Sequence, residues 1–79
     1  MFTKNYTIVI DSKQDDDIFR KFVSILSSHG DIKKIREITE NEWIIIKMEA
    51  SGRRWNKLMG RLKDEMDLTP YKIEGIWFI

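Results

Sequence analysis

The spacing of apolar residues changes period along this chain in a set order, and the order comes round twice. From Thr3 to Ile10 (TKNYTIVI), Tyr6, Ile8 and Ile10 alternate with Thr7 and Val9, which is the period of a strand. From Ile18 to His29 the period lengthens, and Phe19, Phe22, Val23 and Leu26 form one helical face. Asp15, Asp16 and Asp17 precede that face, where carboxylates cap a helix and favour its positive end. His29 and Gly30 supply the stop. Asp31 to Ile38 (DIKKIREI) then reads as a strand, with Ile32, Ile35 and Ile38 off the two-residue period in the manner of a bulge or a strongly twisted edge.

The second round begins at Trp43 to Met48 (WIIIKM), a strand that pairs as a hairpin with the one before it. Ala50-Ser51-Gly52 breaks it, and Ser51 caps the segment that follows. Between Arg53 and Met66, Trp55, Leu58, Met59, Leu62 and Met66 form the cleanest amphipathic pattern in the chain. Pro70 forces Thr69 into an extended conformation and ends the helix region. Tyr71 to Ile79 (YKIEGIWFI) reads as one closing strand, with Gly75 at a bulge or close approach. The order β-α-β-β-α-β implies an α+β fold of ferredoxin-like type. Right-handed crossovers in that fold place both helices on one face of a four-stranded antiparallel sheet. The first and third strands, the most uniformly apolar, take the centre.

The whole chain, residues 1–79, is expected to be a single domain, since 79 residues support one core and not two. With 42% hydrophobic and 34% charged residues it is too apolar for a disordered tail. Its apolar runs fall far short of the roughly 20 residues that span a bilayer. Met1 to Ile10 reads as a strand and not as a secretory leader. The absence of cysteine excludes disulfides, thiolate chemistry and cysteine metal sites, and suits the cytoplasm. A formal charge of +1 favours no partner class, so only local patches can. Thirteen isoleucines against one alanine, Ala50, point to an AT-rich genome such as that of a low-GC bacterium, a plasmid or a phage.

Phe22, Val23 and Leu26, followed by Gly30, Ile32 and Ile35, resemble the apolar helix, glycine and strand of small regulatory ACT domains. The resemblance implies a ferredoxin-like shape and a role in sensing a small ligand. ACT domains hold an amino-acid ligand at a glycine in the loop after the first strand. Asp11-Ser12-Lys13-Gln14-Asp15 has no glycine, so that ligand site does not carry over.

Two surfaces are candidates for function. If Tyr6, Ile8, Ile10, Ile44, Ile46 and Met48 face the helices, Thr7, Val9, Trp43, Ile45 and Lys47 face outward. Lys34, Arg36 and one side of the last strand, with Tyr71 or Lys72 and Trp77 or Phe78, join them. An apolar sheet face of this kind marks a partner or a second copy, carried by Trp43, Ile45, Lys47 and Trp77. The other candidate is a basic stripe on the second helix, Arg53, Arg54, Lys57 and Arg61, suited to nucleic-acid phosphates. Aromatic and basic residues on an open sheet also suit RNA, yet WIIIKMEA lacks the glycine-aromatic alternation of that class.

No constellation for catalysis stands out. His29 is the sole histidine and has no partner in the sequence pattern, and the aspartates around Asp15 lack the spacing of a calcium loop. No phosphate loop, nucleophile elbow or zinc-protease motif is present. The expectation is a small, non-enzymatic interaction or regulatory module without cofactor, metal or membrane. Its partner is a protein or a second copy. Nucleic acid on the basic stripe is the alternative, and ligand sensing of ACT type the next.

Overall fold

The computed structural model describes residues 2–11, 13, 15–38, 40 and 42–79. Its elements run β1 (Thr3–Asp11), α1 (Asp16–Ser27), β2 (Asp31–Ile38), β3 (Trp43–Ser51), α2 (Gly52–Met66), β4 (Tyr71–Ile73) and β5 (Ile76–Phe78). The expected four-stranded antiparallel ferredoxin-like sheet is not what forms. Five strands make a mixed sheet in the order β2-β3-β1-β5-β4, in which β1 and β5 run parallel.

The cause lies at Glu74 and Gly75, both at positive φ (50° and 82°). Two central residues of this kind make the tight turn whose twist matches paired strands. The stretch read as one strand is therefore a hairpin. Its first limb, β4, is antiparallel to β5 and sits on the sheet margin. Its second limb, β5, fills the slot beside β1, and the Ile79 N–H donates to the Val9 carbonyl at 3.0 Å. Gly75 is a turn residue and not a bulge.

The rest of the sheet follows the residue pattern closely. β1 pairs with β3 along nine residue pairs from Thr3↔Ser51 to Asp11↔Trp43. β2 pairs with β3, and its register shifts between Ile32 and Lys34. That shift is the bulge the off-period isoleucines required. Ile32 and Ile35 stand opposite Met48 and Ile46, whereas Ile38 stands opposite Trp43. Period two puts Ile38 on the other face from them.

Both helices are capped as their sequences ask. The Asp15 carboxylate accepts from the Asp17 N–H at 2.8 Å, and Ser51 Oγ from the Arg54 N–H at 3.2 Å. α1 buries Phe22, Ile25 and Leu26, and α2 buries Trp55, Leu58 and Leu62. These pack with Ile8, Ile10, Ile46, Met48 and Ala50 into one core, so both helices cover the same side of the sheet. Tyr6 stacks on Trp55, ring centroids 3.8 Å apart, and Trp77 meets Trp55 at 5.4 Å. Gly30 admits the close crossing of the chain over β3. A Cβ there would lie 2.5 Å from the Glu49 carbonyl oxygen and 2.8 Å from the Ala50 Cβ.

Candidate functional site

The sheet face turned away from the helices holds the candidate site. Because pairing fixes register, its side chains stand in rows across the strands. One row crosses the whole sheet: Tyr71, Phe78, Val9, Ile45 and Arg36. The neighbouring row is Ile73, Ile76, Thr7, Lys47 and Lys34, and a third contains Asp11, Trp43 and Ile38. The face is thus apolar over β4 and β5, crosses β1 through Val9 between Thr7 and Asp11, and is cationic toward β2.

Its apolar part is open. Tyr71 is 56% exposed, Ile73 53%, Trp43 44% and Ile76 36%. Phe78 lies stacked against Tyr71 at 5.6 Å and meets Trp43 edge-on at 6.0 Å, so Trp43 reaches across β1. The residues between shield Val9, which keeps only 7% exposure without any helix above it. At the other end, Lys34, Arg36, Ile45 and Lys47 line a cavity of about 150 Å³. Lys33, beside the bulge, lines an adjoining cavity together with Lys47.

Trp43, Ile45 and Lys47 therefore come together as the sequence pattern indicated, and Trp77 does not. Trp77 pairs with Ile8, which is wholly buried on the helix side, and its ring packs against Trp55. The hairpin sets the phase of this limb, and Phe78 occupies the place expected for Trp77. Ile73 and Ile76 also reach the face unanticipated. The Glu74-Gly75 pair between short apolar runs is the signal that could have revealed them.

On α2, Arg53, Arg54 and Lys57 line a cavity of about 460 Å³ with Ser51. Arg61 stands apart from them. It pairs with Glu65 and donates to Ser28 Oγ at 3.1 Å, which ties α2 to the end of α1. The stripe is three residues with a separate bridging arginine. His29 is engaged locally, its Nδ1 being 3.1 Å from the Ile25 carbonyl oxygen. Asp15 serves as a helix cap. Among the described residues no three metal-ligating side chains converge, and no helix is long and apolar enough to cross a membrane.

Comparison of the chain with family models, with curated proteins and with solved structures found no match. Function is therefore argued from the surface itself.

Proposed function

We propose that this protein is a non-enzymatic interaction module that binds a protein partner, or a second copy of itself, through the uncovered sheet face. One observation carries the reading. An apolar and aromatic strip runs without interruption over β4, β5, β1 and β3, and its largest members remain open to water. Contiguous exposed apolar surface of this kind is costly in isolation and marks an interface. Aromatic side chains with neighbouring arginine are the residue types that dominate binding energy at interfaces.

The test is a Tyr71→Asp, Ile73→Asp double variant. Both side chains are more than half exposed, so the fold survives the change. Sedimentation velocity and affinity capture with identified partners are expected to show association for the parent chain and none for the variant. Association that persists unchanged in a folded variant would refute the reading.

A second reading rests on the cavity at the start of α2. Arg53, Arg54 and Lys57 lie in or just after a first turn that contains no acidic residue, so their charges add to the positive end of the helix. Nucleic-acid phosphates suit such a cluster. Binding of oligonucleotides that falls with salt, with a slope shallower by about one unit in Lys57→Ala, supports it. Absence of any oligonucleotide shift at low salt removes it.

A further inference from the structure

We infer that the β2–β3 part of the uncovered face is an anion subsite, and that the partner it fits is an acidic protein segment. Its carboxylates would sit on Lys34, Arg36 and Lys47 while an adjoining apolar side chain covers Ile45 and Trp43. This deepens the interaction reading above and rests on it.

The arrangement begins with the bulge. A bulge re-aims side chains and terminates regular pairing, and here it lies beside two successive lysines, Lys33 and Lys34. Lys34 stands directly opposite Lys47. Like charges in that position destabilise a strand pair. A carboxylate placed between them would relieve the repulsion. Arg36 lies on the same cavity wall and offers a planar fork of donors that matches a carboxylate.

No internal group performs that service. Among the described residues the ion pairs are Lys13–Glu42 and Arg61–Glu65, which leaves the four cations unpaired. The nearest carboxylates by register, Asp31 and Glu49, face each other in the adjacent row of the same face, and neither is within 4 Å of these cations. Glu49 accepts the Thr3 hydroxyl at 2.6 Å. The chain as a whole carries only +1, so this concentration of positive charge is local.

The apolar strip then limits the partner. From Arg36 on β2 to Phe78 on β5 is three strand spacings, about 14 Å. An extended peptide of four or so residues covers that distance, and its sheet-facing side chains, every second one, run from acidic at the β2 end to apolar toward β5. The aromatic rings are less suited to nucleobases. Tyr71 and Phe78 are nearly parallel, 18° apart, and closer than two rings lying flat side by side could be. They overlap each other instead of presenting free flat faces, Trp43 stands at 77° to Phe78, and the rest of the strip is isoleucine and valine. Both candidates are anionic, and the ring packing with the aliphatic part of the strip favours an acidic protein segment over a single strand of RNA or DNA.

The experiment uses fluorescence anisotropy with three labelled probes: a short serine-spaced peptide with glutamates in one half and leucines in the other, each at alternate positions, its lysine–leucine counterpart, and oligo-dT. The glutamate peptide is expected to bind saturably and to shift amide resonances of β2 and β3, and the lysine peptide to show no binding. K34Q together with K47Q, both exposed positions, should weaken the glutamate peptide roughly tenfold. Equal binding by that double variant, or preference for oligo-dT, overturns the inference. If Tyr71→Asp, Ile73→Asp abolishes association while the glutamate peptide fails to bind, the face remains the working surface and the acidic partner is refuted. If association survives that variant, the reading of the face itself falls.

Discussion

Trp77→Ala and Trp43→Ala form a paired test of where the end of the chain lies. Trp77 is half-buried on the helix side, 5.4 Å from Trp55, which is itself only 3% exposed. Removing a fully buried aromatic side chain costs about 3–5 kcal/mol. Partial burial lowers this, and the aromatic pair adds to it, so about 2–3 kcal/mol is expected for Trp77→Ala. For a domain of this size that is a fall in Tm of about 10–20 °C. Trp43 is 44% exposed and makes one edge contact, with Phe78. Its truncation should cost about 1 kcal/mol or less, a fall of about 5 °C. Thermal and urea unfolding followed by circular dichroism would measure both. If β4 and β5 were one strand with Trp77 on the uncovered face beside Trp43, the two losses would be about equal. Equal or reversed losses would refute the five-stranded arrangement.

Gly30→Ala should destabilise the chain by about 1–3 kcal/mol, because its Cβ meets backbone and core atoms that cannot move aside freely; a urea midpoint equal to the parent's would show that β3 does not pass so close. Gly60→Ala should stabilise by about 1 kcal/mol, since nothing lies within 4 Å of the added Cβ on this exposed helical turn. A lowered midpoint in the same titration would point instead to a strained backbone at that turn.

Much of this architecture could be read from residue spacing because its elements are long enough to declare a period. The Trp55-Leu58-Leu62 face of α2 and the alternation of Tyr6, Ile8 and Ile10 in β1 both fall on the core as expected. α1 is turned slightly, with Ile25 wholly in the core and Phe19 and Val23 at its edge, since a helix on a twisted sheet does not centre its most apolar line. The final hairpin does not show in the residue spacing because each of its limbs has three residues, too few to show a period. Once the hairpin is missed the error propagates, because a shift of one residue exchanges the two faces. That is why Phe78 stands where Trp77 was expected. The basic stripe on α2 divides for a different reason. Helical spacing places Arg61 near Lys57 and also near Glu65 one turn on, but its bond to Ser28 depends on where α1 ends.

The parallel pairing of β1 with β5 also sets how the molecule meets a pulling force. β1 enters the sheet at one end of the strands and β5 leaves it at the opposite end. Tension applied through Thr3 and Ile79 therefore slides the two strands lengthwise past each other and loads their hydrogen bonds together. An antiparallel last strand would have put both grips at one end, and the bonds would have opened one after another like a zip.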